Sequence, residues 1–325
     1  IDCTSAATNL WLNNIRITDA TNAAHTPVEK SVIKFSGTAN TLNLVGENWI
    51  NNDASYTKSC FNVGDGITIE DGGSGKLTVE NGMREYGKTT GFDNSYGAAI
   101  GSDKGEKSQA DIVINGGQVT TTAQYGAGIG SGANGAIGSI AVNGGKVFGE
   151  TTISYYTAGV STDLGAGIGS GSSGTVEGNI TITAGSVAAF CVGESSSGII
   201  AASSGAGLGS GMNGAVNGNI IISGGTTRAE ATGGYGAAIG TGSYTNSTTA
   251  SVGNITIKGG AVQAQSESAE AIGSGALYNG LPINATEWKG QVGSVKVYGG
   301  TYSDGFDARY HVYSRDAGDT SGAGA

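Results

Sequence analysis

Residues 125–147 read YGAGIGSGANGAIGSIAVNGGKV, and both halves of this stretch recur along most of the chain. The first half, Gly-Ala-(Gly/Ala)-(Ile/Leu)-Gly-(Ser/Thr), begins at Gly97, Gly126, Gly165, Gly205 and Gly236, with a worn copy at 269–274. The second half is a short alternating strand before a glycine pair or its near equivalent. It appears as IVINGG from Ile112, IAVNGG from Ile140, ITITAG from Ile180, IIISGG from Ile220, ITIKGG from Ile255 and VKVYGG from Val295. Self-similarity of this kind is the mark of a solenoid, and it constrains the fold before any single residue does.

The second-half strands start at 112, 140, 180, 220, 255 and 295, so the intervals are 28, 40, 40, 35 and 40. The shortest interval carries three extended pieces: AAIGS, then I-x-I, then a V-x-A-like run such as 119–121 or 262–264. Three short strands per turn, joined by glycine corners, predict an all-β fold, a single-stranded right-handed parallel β-helix. The right hand is the one parallel crossovers almost always take. Alternation in I-x-I sends both apolar side chains to one face, the interior. Stacking at about 4.8 Å then predicts an interior ladder through Ile100, Ile129, Ile168, Leu208, Ile239 and Ile272. A small-residue ladder through Ala98, Ala127, Ala166, Ala206 and Ala237 should line the tight corner. A helical reading fails, because glycine costs about 1 kcal/mol per helical site.

Around the regular repeats of 96–302, residues 1–95 predict N-terminal capping and irregular coils. Strand-like runs fall at 10–17, 32–35 and 42–45, a short helical turn around 23–32, and two closely spaced strands begin at Gly66 and Lys76. Residues 303–325 break the pattern and read as a C-terminal cap or a linker. Insertions at 150–164 and 190–204 precede the GAG unit and should lie side by side at one corner, whereas 243–252 and 276–292 follow it. Such insertions are either a binding face or loops lengthened at little entropic cost.

Composition narrows the partners. With 61 Gly but only 2 Pro and no three-residue glycine period, the chain is neither a disordered Pro/Gly tract nor collagen. Charged residues make up 13%, and 16 basic against 26 acidic groups leave a net charge of −10. That balance opposes nucleic acid and anionic membranes, both of which need a basic face. No run approaches the roughly 18 apolar residues of a membrane span. The chain opens at Ile1 without Met or a signal-like segment, which predicts a mature or excised piece. Cys3, Cys60 and Cys191 form no C-x-x-C pair. Cys3 and Cys60 are the candidate disulfide, tying the N-terminal tail to the first coils as a secreted protein would; three free thiols are the alternative.

The runs LNNIRITDA, LNLVGEN and GITIEDGGSGKLTVENG, with the serial GAGIGSG…GNITITAG pattern, resemble the glycine-rich β-helix repeats of bacterial cell-surface proteins. The resemblance spans nearly the whole chain up to about Ser303. It implies an extracellular, adhesin-like setting, in which some such domains are labelled carbohydrate-binding. The shared residues are structural ladders, so no catalytic role transfers with them.

Candidate chemistry is sparse. Hydrolysis or lyase chemistry on a polysaccharide wants paired or clustered carboxylates at equivalent places in adjacent repeats. Asp103, Glu106 and Asp111 instead share one loop, Asp163 stands alone, and Glu177 faces Asn217 rather than a second acid. The two histidines, His25 and His311, sit in the end regions. Asp93, Asp103, Glu106 and Asp111 gather around the first GAAIGS unit as a candidate calcium site or a solvated loop. Tyr96, Tyr125 and Tyr235 each precede the GA of a unit, while Tyr155, Tyr156 and Tyr244 lie in insertions. These tyrosines are either sugar-stacking platforms or an external aromatic ladder bracing the corners. Asn179 and Asn254 open N-x-T triplets inside the repeated strands, as by-products of the repeat.

The expected function is a non-enzymatic cell-surface module presenting a glycan- or host-surface-binding face, without cofactor save calcium. A stalk or filament subunit assembling through its ends is the alternative, and a polysaccharide-active enzyme comes third.

Overall fold

In the computed structural model the described residues are 1–3, 5, 7–18, 30–52, 57–82, 95–152, 163–193, 195–196, 199–200, 205–245, 250–276 and 290–303. They are all-β, with strands and turns and no helix among them.

One parallel sheet is made of very short strands taken in chain order. These are Asp2–Cys3, Ile33–Phe35, Phe61–Asn62, Ile100–Gly101, Ile129–Gly130, Ile168–Gly169, Leu208–Gly209, Ile239–Gly240 and Ile272–Gly273. From Ile100 onward the register sets isoleucine or leucine on its counterpart and glycine on glycine. The Ile and Leu side chains are buried, with Ile272 half-buried at the last strand. The predicted alanine ladder, Ala98 through Ala237, is buried throughout.

A second parallel sheet holds the I-x-I strands. In it Ile112, Ile140, Ile180, Ile220, Ile255 and Val295 pair serially, so the uneven intervals of 28 to 40 residues do not disturb register. The slack is taken up between strands, and residues 153–162, 246–249 and 277–289 of the insertions lie outside the described residues, as do 304–325. The strands Gln118–Ala123, Lys146–Thr152, Ser186–Val192, Thr226–Thr232, Ala261–Ser266 and Thr301–Ser303 form the next column in the same order.

Two expectations change. The repeats contain a fourth extended piece, Ala136–Ile137, Thr175–Val176 and Ala215–Val216, just before I-x-I. Two residues are too few to display alternation, so the sequence pattern hides it. The two strands expected from Gly66 and Lys76 are one strand, Gly66–Asn81, paired along Asn40–Asn52 with a register shift at Leu44/Val45. There Asp71 Oδ1 accepts hydrogen bonds from Gly73 N (2.9 Å) and Gly75 N (3.0 Å), carrying the strand through the irregularity. The helical turn near 23–32 falls largely outside the described residues.

The GIG(S/T) motif has a physical cause at each letter. Gly130, Gly169, Gly209, Gly240 and Gly273 have φ of +141° to +144°, which L side chains rarely adopt. A Cβ on any of the first four would overlap the carbonyl oxygen of the next repeat's glycine. The following hydroxyl is buried and accepts a hydrogen bond from a glycine N–H one repeat on. Ser102, Ser131, Ser170 and Ser210 take Gly132, Gly171, Gly211 and Gly242 at 3.0 Å each, and Thr241 takes Gly275 at 2.7 Å. A buried amide left without such a partner costs about 1–3 kcal/mol, so the hydroxyl recurs.

At Ile272–Gly273, the last short strand among the described residues, a side chain takes the place of a further glycine carbonyl. The backbone N–H of Ser131, Ser170, Ser210 and Thr241 each donates to the next repeat's glycine carbonyl. Ser274 N donates instead to Glu270 Oε2 at 2.6 Å. Glu270 is 3% exposed and its carboxylate lies against Gly273 where a further glycine carbonyl would stand.

No disulfide joins Cys3, Cys60 or Cys191. Cys3 pairs in register with Phe35, whereas Val32 and Ile33 donate to Cys60 O. The two cysteines are thus two strands and about three residues apart, beyond the roughly 7 Å Cα limit for a disulfide.

Candidate functional site

Two of the candidate tyrosines pack on each other. Tyr96 and Tyr125 stack with ring centroids 4.7 Å apart and planes 18° off parallel. Lys104 Nζ sits 3.7 Å from the Tyr96 ring centre, covering that ring with a cation. Tyr125 is 4% and Tyr244 3% exposed, so neither ring offers an open face to a sugar. Tyr235 is half-buried, and Tyr155 and Tyr156 lie outside the described residues. The Tyr96–Tyr125 stack is a contact of the kind an aromatic ladder would make.

The acidic residues around the first unit have separate occupations. Asp103 Oδ1 accepts from Ser59 N (2.8 Å), Ser59 Oγ (2.7 Å) and Ser31 Oγ (3.4 Å), and Oδ2 meets Lys58 Nζ at 2.9 Å. Burial disfavours its charge, but the bonds from Ser59 and Lys58 outweigh it and hold the carboxyl below its ordinary pKa. Glu106 Oε2 accepts from Asn62 Nδ2 and Asp103 N, both at 2.8 Å. Asp111 Oδ1 accepts from Ser139 N at 2.5 Å. These carboxylates pin neighbouring repeats together, and no group of three His, Cys, Asp or Glu able to hold a metal occurs among the described residues. Asp93 lies outside them.

The outer face of the I-x-I sheet has a different character. Because the two apolar side chains of each strand point inward, three columns point outward. The first is an amide ladder: Asn179 Oδ1 accepts from Asn219 N (2.8 Å), and Asn219 Oδ1 accepts from Asn254 N and Nδ2 (2.9 Å each). Ser294 Oγ then donates to Asn254 Oδ1 at 2.7 Å. The middle column runs Ala141, Thr181, Ile221, Thr256, Lys296. The third, just before each glycine pair, runs Asn115, Asn143, Thr183, Ser223, Lys258, Tyr298.

Along the repeats of residues 219–298 these columns form an open groove of about 590 Å³, lined by Asn219, Ile221, Asn254, Thr256, Lys258, Lys296 and Tyr298. Tyr298 is 40% exposed, one of three large apolar side chains so open among the described residues. An exposed ring beside amides, a hydroxyl and ammonium groups can stack on a sugar face while donating and accepting hydrogen bonds at its edge. The sequence carried a signal for this site. Across NGG, NGG, TAG, SGG, KGG and YGG the glycine pair or its near equivalent holds, while the residue before it drifts to lysine and tyrosine.

On the adjoining outer face Phe148 and Phe190 meet edge to face at 5.2 Å, and Arg228 lies 5.1 Å over Phe190 while pairing with Glu230. Glu150, in register with Phe190, is pushed above its ordinary pKa by burial. Comparison of the chain with protein-family models, curated proteins and solved structures finds no match.

Proposed function

We propose that the chain is a right-handed parallel β-helix serving as a non-enzymatic, extracellular cell-surface module of adhesin type, and that it binds glycan. Successive repeats at about 4.8 Å would make it a stiff rod that holds a binding face away from a surface. The observation that carries the reading is the groove of Asn219, Asn254, Thr256, Lys258, Lys296 and Tyr298 on an outer face of registered columns. An array of neutral and charged glycans probed with the purified chain tests it. Binding that Tyr298→Ala removes from a still-folded protein supports a lectin-like module, and no binding by folded protein rejects it.

The stalk or filament reading keeps one observation in its favour. Asp2–Cys3, Asn9–Asn13 and Arg16–Thr18 are each paired on one side only among the described residues. Open strand edges invite another strand. Sedimentation and electron microscopy of the purified chain would reveal concentration-dependent rods if that edge assembles.

A further inference from the structure

We infer that the groove selects anionic saccharides, those bearing carboxylate or sulfate, over neutral ones; this rests on the glycan-binding reading above. The chain carries −10 overall, yet the groove is lined by two lysines and no carboxylate. Lys296 follows Thr256 in the middle column, and Lys258 and Tyr298 are neighbours in the third. The two lysines are therefore diagonal neighbours, one repeat and two residues apart, about 8 Å between backbones. Neither makes a salt bridge among the described residues. Lys58, Lys76 and Arg228 pair with Asp103, Glu47 and Glu230, whereas Lys34, Lys107 and Lys146 make no salt bridge among the described residues; what distinguishes Lys258 and Lys296 is that they line one groove.

Two ammonium groups on neighbouring columns, with no carboxylate lining the groove, give it a local positive potential that an anion would neutralise. Tyr298 beside Lys258 supplies an apolar ring face, which a charge alone does not need but a pyranose does. Asn254 of the amide ladder and Thr256 of the middle column line the same groove and supply hydroxyl-binding groups. Lysine is a point charge that does not discriminate carboxylate from sulfate by geometry, so both belong to the class.

The test is calorimetric titration of the full chain with four probes: oligogalacturonate, a sulfated oligosaccharide, a neutral oligosaccharide of equal length, and poly-glutamate. Either anionic saccharide, or both, should bind about tenfold or more tightly than the neutral one and weaken with salt. The double variant K258Q/K296Q should lose that advantage while keeping residual neutral binding, and Tyr298→Ala should weaken anionic and neutral probes alike. Circular dichroism melts confirm that each variant is folded, as expected for outward side chains, and Thr181→Ala two repeats away should bind like the parent. Equal affinity for neutral and anionic saccharides, unchanged in K258Q/K296Q, overturns the anionic selectivity and leaves glycan binding standing. Poly-glutamate binding as tightly as the saccharides overturns it in favour of an acidic polypeptide partner. No saccharide binding by the folded chain removes the glycan reading itself.

Discussion

In the short Ile-Gly strands, the space beside each glycine is filled by the carbonyl of the next repeat. In the I-x-I strands, the middle position faces outward and is half open to solvent. Both sheets are built from the same repeats, one set of residues apart. The first tolerates one residue type at Gly130, Gly169, Gly209 and Gly240. The second holds Ala141, Thr181, Ile221, Thr256 and Lys296 at a single register position. Backbone crowding thus concentrates constraint in one part of the repeat and leaves another free to acquire chemistry, which is why the groove sits on the I-x-I face.

The sharpest way to break this comparison is Gly169→Ala against Thr181→Ala in the same repeat. Alanine at φ +144° meets the Gly209 carbonyl in mid-stack. The cost should exceed about 4 kcal/mol and lower Tm by on the order of 10 °C or prevent folding. Thr181→Ala should stay within about 0.5 kcal/mol. Thermal melts by circular dichroism decide it, and equal melting of the two variants would falsify the crowding argument.

Next in size is Asp103→Ala, which strands Ser59 N–H and Ser59 Oγ and removes the Lys58 ion pair, and should cost about 2–4 kcal/mol. Its pH dependence follows from the sign of the shift. The folded pKa is depressed, so the stabilisation is complete above the ordinary carboxylate range and is lost as pH falls through the folded value. Urea midpoints of the parent and Asp103→Asn, followed by tryptophan fluorescence, should therefore stay apart at neutral pH and converge only as pH falls below the ordinary carboxylate range toward the depressed folded value.

Smaller again is Ser170→Ala, which leaves Gly211 N–H unpaired and should cost about 1–2 kcal/mol, with exchange of that amide accelerated most. The smallest effect has the opposite sign. Burial raises the Glu150 pKa, so ionisation above that value penalises the folded state, and the penalty disappears as pH falls below it. Glu150→Gln should raise Tm at neutral pH by about 1–2 °C, a gain that shrinks in acid.

Legibility followed the same division. The ladders Ile100–Ile272 and Ala98–Ala237 were readable because each repeat writes the same residue where packing allows no other. Uneven spacing was no obstacle, since Ile112 through Val295 pair despite intervals from 28 to 40. Ala136–Ile137 escaped notice because a two-residue strand has no period. Among the tyrosines singled out as candidate sugar platforms, Tyr125 and Tyr244 are buried, which their place in the sequence does not reveal. Lys258 and Tyr298 did carry a signature, departure from a repeat. Burial of an outward column cannot be judged from one strand; it depends on what the neighbouring strands carry.

Among the described residues Glu270 closes the short sheet beside Gly273. Its carboxylate occupies the place of a further glycine carbonyl, so a newly duplicated repeat is compatible with the sheet only upstream of it. A copied block placed between Gly130 and Gly169 would find glycine carbonyls on both sides, whereas one placed after Gly273 would meet an acid. Lengthening by duplication therefore has a permitted address, and it carries the lysine–tyrosine groove outward with the terminal repeats.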